Sequence, residues 1–221
     1  MIGARHPRIK ICCIANWNEA QLAIHHGASA IGLVSAMPSG PGVISEDQIA
    51  AIAARVPPAV ATFLLTSKPD VTSIIAQQKL CGTSTIQICD QLTKGTYAEL
   101  RLAMPGIKIV QVIHVVGPDS IDDAVKAAEE VDAILLDSGN PALLVKELGG
   151  TGRRHDWKLS RQIRKQISVP LFLAGGLKAE NVRQAIEEVE PFGLDVCTGV
   201  RTEGKLDEGK LEAFFAAVHA Y

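Results

Sequence analysis

Two residues at the end of the first predicted strand have side chains suited to acid–base chemistry. Lys10 stands two residues before Cys12 in the apolar segment Ile9–Ile14, so strand alternation places both side chains on one face. A cationic neighbour favours the thiolate form of a cysteine, which is the form that acts as a base or nucleophile. The alternative is an inert, buried Cys12 with Lys10 extended to solvent, and this strand alone leaves both interpretations open.

The second acid–base candidate is Asp137, which ends the apolar segment Asp132–Asp137. Alternation places its side chain on the same face as Ala133 and Leu135. An aspartate after an apolar strand is usually a helix N-cap. Here a loop containing glycine and proline follows, and the next long helical pattern begins only near Asp156. The pattern therefore favours a carboxyl group held at a strand end for general acid or base catalysis.

Three glycine-rich loops follow the last three predicted strands. They read Gly149-Gly150-Thr151-Gly152, Ala174-Gly175-Gly176-Leu177 and Cys197-Thr198-Gly199-Val200. Glycine lets backbone N–H groups approach an anion closely, although a single such loop can be no more than a tight turn. Three loops at one rim predict a phosphate site made by Gly150, Thr151, Gly152, Gly175, Gly176, Thr198 and Gly199.

The elements that must position these residues alternate along the chain. Short β-branched runs predict strands at Ile9–Ile14, Ser29–Val34, Val60–Leu65, Thr83–Ile88, Lys108–His114, Asp132–Asp137, Val169–Ala174 and Gly193–Thr198. Apolar residues at three- and four-residue spacing predict helices at Asn18–His26, Glu46–Arg55, Val71–Leu80, Thr96–Ala103, Ser120–Glu130, Trp157–Gln166, Ala179–Glu188 and Glu208–His219. Eight strands, each followed by a helix, predict an α/β protein of the (β/α)8 TIM barrel type.

The competing fold is a flavodoxin-like or Rossmann sheet, which has about five or six strands. No GxGxxG follows the first predicted strand, so the barrel is favoured. No break in composition marks a linker, which predicts one domain over residues 1–221 with a loose start before the first strand. Barrel alternation assigns Lys10, Cys12 and Ile14 to the interior and Ile9, Ile11 and Cys13 to the helix-facing side.

Charge and composition limit the partners we expect. The 22 basic and 24 acidic residues give a net charge of −2 with no basic stripe, so nucleic acid is not an expected partner. No membrane-spanning run or signal peptide is visible, which predicts a cytoplasmic protein. The five scattered cysteines lack metal-ligand spacing, so neither disulfides nor a metal site is predicted.

Taken in order, many segments resemble the phosphoribosylanthranilate isomerase family. The matching segments include Lys10-Ile11-Cys12, Gly27-Ala28, Ile44-Ser45, Ile86-Gln87, Leu135-Leu136-Asp137, Gly149-Gly150-Thr151-Gly152, Asp156-Trp157, Leu173-Ala174-Gly175-Gly176-Leu177, Glu180-Asn181-Val182, Asp195-Val196 and Thr198-Gly199-Val200. The resemblance implies a cofactor-free Amadori rearrangement of a phosphorylated aminosugar in tryptophan biosynthesis, by an enzyme that is a monomer or a homodimer. It also implies Asp137 as the general acid that opens the sugar ring and Cys12 as the base that removes a carbon-bound proton.

The sequence departs from the family pattern around the aglycone. Cys13 replaces the usual glycine, Gly42 replaces an arginine that resembles a carboxylate clamp, and Cys89 replaces a histidine. Arg201 stands where the family has an acidic residue, and we expect it to supply a substitute charge. We expect Lys10, Gln87, Asp195 and Arg201 to contact the substrate. Two alternatives are a diverged paralogue acting on another phosphosugar and a non-catalytic phosphosugar-binding protein, although a pure binder needs neither Cys12 nor Asp137.

Overall fold

A closed barrel of eight parallel strands forms the centre of the molecule, with neighbours paired in chain order. The computed structural model describes residues 6–221; the start of the predicted loose N-terminal segment, residues 1–5, lies outside them. The strands are β1 (Arg8–Ile11), β2 (Ala30–Val34), β3 (Ala61–Thr66), β4 (Thr85–Ile88), β5 (Lys108–His114), β6 (Ala133–Asp137), β7 (Leu171–Leu173) and β8 (Gly193–Val196). The predicted TIM barrel is confirmed.

A helix follows each strand, as predicted. The helices are α1 (Trp17–His25), α2 (Glu46–Ala53), α3 (Val71–Cys81), α4 (Tyr97–Ala103), α5 (Ser120–Ala128), α6 (Trp157–Gln166), α7 (Val182–Val189) and α8 (Glu208–His219). Between β8 and α8 the chain adds a 3-10 turn, Thr198–Val200, and a small hairpin of β9 (Arg201–Thr202) and β10 (Lys205–Leu206).

Side-chain caps fix the starts of several helices. The Asn16 side chain accepts a hydrogen bond from the Glu19 amide at 3.0 Å, and Ser45 forms a capping box with Gln48. Asp119 occupies the cap position of α5 but makes no capping hydrogen bond. The hydroxyl of Ser120, the first residue of α5, instead accepts a hydrogen bond from the Val116 amide in the preceding loop.

Two apolar layers pack on the two faces of the barrel wall. The outer layer lies between strands and helices and includes Ile9, Ile11, Ile134 and Leu136. The inner layer fills the barrel and includes Ala133 and Leu135, together with three phenylalanines in edge-to-face contact, Phe63, Phe172 and Phe192. Because Phe192 precedes β8, this aromatic stack closes the N-terminal end and leaves the C-terminal end for a site.

The predicted alternation is wrong for the last residues of the first segment. Regular β1 ends at Ile11, and the backbone of Cys13 then turns into the left-handed region with φ 62°. As a result Cys13 packs in the inner layer and Ile14 in the outer one, the reverse of the prediction. Lys10 and Cys12 keep their predicted interior positions, buried beside β2 and β8.

Candidate active site

An open cavity lies at the C-terminal ends of the strands. Four of the predicted catalytic or substrate-contacting residues line it, namely Cys12, Gln87, Asp137 and Asp195. Six of the seven predicted phosphate-binding residues do so as well: Gly150, Thr151, Gly152, Gly175, Gly176 and Thr198. The strand ends therefore bring these residues, predicted from distant segments, to one place.

Lys10 lies directly beneath the Cys12 thiol. Its Nζ donates to Oδ2 of Asp195 at 2.9 Å and lies 3.7 Å from Sγ of Cys12. The ammonium also lies 5.1 Å from the centre of the Phe63 ring. Gly32 on β2 makes room for this group, because a Cβ there would lie 2.8 Å from Sγ of Cys12 and 3.1 Å from Nζ of Lys10.

The Lys10–Asp195 pair supplies the charge under the thiol. Burial opposes a charge on Lys10, but the Asp195 carboxylate outweighs burial and raises the pKa of Lys10 above its ordinary value. Burial also raises the pKa of Asp195, against the pull of the ammonium. The lysine is thus the firmly charged member of the pair, and it places a positive charge next to Cys12.

Asp137 is held at the end of β6 by the loop that follows it. Its Oδ1 accepts a hydrogen bond from the backbone amide of Ser138 at 2.7 Å. The other oxygen, Oδ2, faces Gly149, where a Cβ would lie only 2.8 Å away. Glycine at this position leaves space above the carboxyl group, so a reactant can approach it from the cavity.

Two buried acceptors on the cavity wall lack a partner within residues 6–221. They are Oε1 of Gln87 and Oδ1 of Asp195. A buried acceptor without a hydrogen bond costs about 1–3 kcal/mol, so a ligand that donates a hydrogen bond to either oxygen would be stabilised. Hydroxyl and amine groups of an aminosugar are donors of the required kind.

The three glycine loops converge at the rim, and glycine is required where they touch. A Cβ on Gly199 would collide with the carbonyl oxygen of Leu177, and one on Gly176 would lie 2.8 Å from the carbonyl carbon of Arg153. Gly199 thus packs under the loop after β7 and is not among the residues lining the cavity. The Ser138 and Thr151 hydroxyls share a 2.7 Å hydrogen bond that ties the start of the β6 loop to its glycines.

Loops after β2 and β6 meet above the cavity. The Ser39 hydroxyl donates to the carbonyl of Lys146 at 2.7 Å, and a Cβ on Gly150 would strike the Pro41 ring. Lys146 in turn pairs with Asp90, which follows β4, at 2.5 Å. These contacts hold the β2 and β6 loops together over the cavity.

Arg201 lies behind the cavity wall and does not line it. Its guanidinium makes two 3.0 Å hydrogen bonds to the Glu19 carboxylate and further bonds to the carbonyls of Cys12 and Cys13. Burial opposes the charge on Glu19, but the hydrogen bond from Arg201 outweighs it and lowers the pKa of Glu19. Arg201 therefore braces the backbone that carries Cys12, which is a different task from the substitute substrate charge expected of it.

Cys13 and Gly42 compete for one small space. Both have left-handed backbones, with φ 62° and 78°. A Cβ on Gly42 would lie 2.5 Å from Cβ of Cys13, closer than two carbons pack. The same Cβ would lie 2.9 Å from the Cα of Cys13, so the side chain and the backbone at position 13 together favour glycine at position 42.

The remaining aglycone departure, Cys89, lines the cavity as a buried thiol. Burial raises the pKa of Cys89, so the thiol stays protonated and acts as an apolar wall. No lysine or arginine is among the residues that line the cavity in the described part of the chain. The expected carboxylate clamp has no replacement within that wall.

Several residues that support the site escaped the sequence analysis. Gly32, Glu19 and Ser138 each hold a reactive residue in place, yet none carries a recognisable motif. The signal for Gly32 was a glycine in the middle of an apolar strand, which indicates a close approach by another group. For Glu19 the sequence offers no signal, because its partner lies 182 residues away.

Within residues 6–221, no cluster of three or more His, Cys, Asp or Glu side chains is arranged to hold a metal ion. In the same range, no helix combines the length and the apolar character needed to cross a membrane.

Taken together, the barrel and a rim cavity that combines a thiol, a carboxyl group and glycine loops define a TIM-barrel enzyme site for a small molecule. The model of the N-(5'-phosphoribosyl)anthranilate isomerase family matches residues 9–217. The chain belongs to this family of isomerases of tryptophan biosynthesis.

Similar proteins cover nearly the whole chain. N-(5'-phosphoribosyl)anthranilate isomerase 2 of Methanosarcina mazei is 35% identical over 209 residues, spanning 94% of this chain and 92% of the relative. The enzyme of Methanothrix thermoacetophila is 32% identical over 96% of this chain and 98% of the relative. The crystal structure of the Thermotoga maritima enzyme superposes with a TM-score of 0.81 at 28% identity, covering 97% of this chain and all of that one.

Proposed function

We propose that the cavity catalyses the Amadori rearrangement of N-(5'-phosphoribosyl)anthranilate with Cys12 as the base and Asp137 as the acid. The observation that carries this assignment is the cavity itself, whose wall contains both groups beside the glycine loops. A phosphoribosylanthranilate isomerase structure bound to reduced 1-(o-carboxyphenylamino)-1-deoxyribulose 5-phosphate is 26% identical, with a TM-score of 0.79 and coverage of 97% of this chain. That ligand is a reduced analogue of a rearranged aminosugar phosphate.

The proposed reaction needs two proton transfers. Asp137 protonates the furanose ring oxygen, and the C–O bond breaks to leave an iminium ion. The Cys12 thiolate then removes the proton from the adjacent sugar carbon, and the resulting enolamine tautomerises to the ketone. Both transfers use groups of this chain, and the Lys10 ammonium lies 3.7 Å from the Cys12 sulfur.

The substrate phosphate is assigned to the glycine loops. Gly175 and Gly176 have φ values of 84° and 65°, and Gly152 has a φ of 68°, conformations in which successive N–H groups can point to one anion. Thr151 and Thr198 add hydroxyl donors on the same rim. Gln87 and Asp195 would accept hydrogen bonds from the sugar hydroxyls or the amine through their unpaired oxygens.

A diverged aminosugar substrate is the second candidate, and one observation favours it. The residues that line the cavity include no cation to pair with an anthranilate carboxylate. A charge-assisted arginine contact contributes about 1.5–3 kcal/mol, or roughly one to two orders of magnitude in affinity. Without that contact, a substrate that lacks the carboxylate should bind about as tightly as phosphoribosylanthranilate.

The experiment that separates these candidates compares two substrates in the same assay. One is phosphoribosylanthranilate generated in situ, and the other is the same phosphoribosylamine built on aniline. We expect turnover of both, with kcat/KM values within about fivefold. Exclusive turnover of the aniline compound would favour the diverged substrate. A preference of about thirtyfold or more in kcat/KM for the anthranilate compound would show that a cationic side chain binds the carboxylate.

The wider assignments follow the same proposal. We place the enzyme, a single barrel domain over residues 1–221, in the cytoplasm, where its five free cysteines would stay reduced. It functions as a monomer or homodimer and needs neither cofactor nor metal, because the ring opening and the proton removal both use protein groups.

A further inference from the structure

We propose that Cys13 and Cys197 form a reversible oxidation site, joining as a disulfide at the edge of the cavity when the protein meets a hydroperoxide. The two sulfur atoms lie 2.8 Å apart, although the residues are 184 positions apart in sequence. A disulfide joins sulfurs at about 2.05 Å, so closure needs an approach of under an ångström. This inference does not depend on the proposed function.

The barrel itself brings the two cysteines together. Strands β1 and β8 pair in parallel with Ile11 opposite Val196, so the residues that follow leave the sheet side by side. The left-handed backbone of Cys13 then places its side chain in the inner layer, against Cys197. The contact is therefore fixed by strand register and by one turn, and it does not rely on a long loop.

The pair also has the chemistry of a peroxide-sensitive dithiol. Both cysteines line the open cavity, and Cys197 is partly exposed whereas Cys13 is buried. The hydrogen bond shared with Cys13, aided by the Arg201 charge and opposed by burial, lowers the pKa of Cys197. Hydrogen bonds to Cys12 and Cys197 raise the pKa of Cys13, so Cys197 ionises first.

The proposed chemistry balances in two steps. The Cys197 thiolate attacks the hydroperoxide and the O–O bond breaks, which converts Cys197 to a sulfenic acid. The leaving oxygen takes up a proton to give an alcohol or water. The Cys13 sulfur then attacks the sulfur of the sulfenic acid and forms the disulfide bond. The displaced hydroxide takes the thiol proton of Cys13 and leaves as water. The two thiols supply two electrons to the peroxide, and a small dithiol reduces the disulfide back to the two thiols by exchange and becomes a disulfide itself.

Other cysteines of the chain are less suited to this chemistry. Burial raises the pKa of Cys81 to about 11, and burial likewise raises the pKa of Cys89. Cys12 has the Lys10 ammonium as its neighbour, 3.7 Å away. It is the competing partner that an experiment must distinguish, because it precedes Cys13 directly.

The test is mass spectrometry of the intact chain treated with hydrogen peroxide, alkylated and digested with trypsin. We expect a cross-link between the peptide 11–55, which carries Cys12 and Cys13, and the peptide 184–201, which carries Cys197. Dithiothreitol should remove the link. Cys13→Gly, which suits the left-handed backbone, and Cys197→Ser should each abolish it, whereas Cys12→Ser and Cys81→Ser should retain it.

The proposal is overturned if the oxidised chain holds no link between these peptides. It is equally overturned if the link persists in Cys13→Gly or is lost in Cys12→Ser, since either result places the bond on Cys12. Because the readout is a covalent bond and not turnover, its failure is distinguishable from a failure of the proposed isomerase activity.

Discussion

At the scale of single residues, the site depends on side chains that share space. Gly32 leaves room for Cys12 and Lys10, Gly149 leaves room over Asp137, and Gly42 yields its space to Cys13. In each case a functional side chain occupies space that a side chain on the neighbouring glycine would fill. Substitutions at the small positions are therefore expected to act through their neighbours.

The coupling of Cys13 and Gly42 gives a direct test at this scale. Gly42→Arg adds a side chain at φ 78° with its Cβ 2.5 Å from Cβ of Cys13, so we expect it to lower the free energy of unfolding by about 3 kcal/mol. Adding Cys13→Gly should recover about 1 kcal/mol of that loss by removing the contact between the two Cβ atoms, while the 2.9 Å contact with the Cα of residue 13 remains. Denaturant unfolding measures both values.

Gly82 offers the matched control for that experiment. Its φ is 64° and no atom lies within 4 Å of a Cβ built there, so Gly82→Arg isolates the cost of the left-handed backbone. We expect that cost to be about 1 kcal/mol. If Gly42→Arg is no more destabilising than Gly82→Arg, or if Cys13→Gly gives no recovery, the steric coupling is contradicted.

At the scale of elements, the Arg201–Glu19 pair fastens the hairpin after β8 to the start of α1 and to the carbonyls after β1. Both side chains are largely buried, and the geometry is bidentate. Glu19→Gln would leave the guanidinium buried without its carboxylate. We expect a loss of about 3–5 kcal/mol in the free energy of unfolding, measured by denaturant titration.

An exposed pair provides the comparison. Arg183 and Glu187 lie four residues apart on α7 with both side chains more than half exposed, so Glu187→Gln should cost no more than about 0.5 kcal/mol. Equal effects of Glu19→Gln and Glu187→Gln would show that Arg201 does not brace the Cys12 backbone.

The loop before α6 contains a titratable group that makes stability depend on pH. Burial lowers the pKa of His155 to about 4, and its Nε2 lies 2.7 Å from the Ser160 hydroxyl. The folded chain thus keeps the neutral ring while the unfolded chain protonates near pH 6.5. The contribution of His155 to the free energy of unfolding is therefore complete above about pH 6.5. About 3 kcal/mol of that free energy is lost as the pH falls toward 4.

His155→Gln removes this titration while keeping a polar group near Ser160. We expect the unfolding free energy of the variant to fall less steeply than that of the wild type between pH 6.5 and pH 4.5. Parallel curves for the two proteins over this range would contradict the assignment of a buried, neutral His155.

The strands and helices could be predicted from the sequence where side chains alternate regularly. The prediction of side-chain direction failed where the backbone departs from the extended conformation. The eight barrel strands and the eight α-helices were all predicted, because β-branched runs and amphipathic spacing report directly on burial, whereas the hairpin of β9 and β10 was missed. The sides of Cys13 and Ile14 were reversed, since one left-handed residue shifts every later side chain and composition does not reveal φ. The Glu19 partner of Arg201 could not be foreseen because it depends on tertiary contact alone.

At the scale of the whole molecule, the closed barrel of parallel strands brings the reactive groups together at one end. Because the strands run the same way, Cys12 after β1, Gln87 on β4, Asp137 on β6 and Asp195 on β8 all reach one end of the barrel. Because of this convergence, the strand ends and the glycine loops indicated where the candidate site lies, while the roles of Cys12 and Asp137 came from the family resemblance. What strand ends could not reveal is the cover formed by the β2 and β6 loops.

The central claim, that this cavity rearranges an aminosugar phosphate with Cys12 and Asp137, is tested most directly by turnover. Phosphoribosylanthranilate generated in situ is followed by the loss of its fluorescence, with the wild type, Cys12→Ser and Asp137→Asn compared at equal concentration. We predict turnover by the wild type and a fall in kcat of about 10²–10⁴ in each folded variant. A folded wild type without turnover, or a variant within about tenfold of it, would contradict the account.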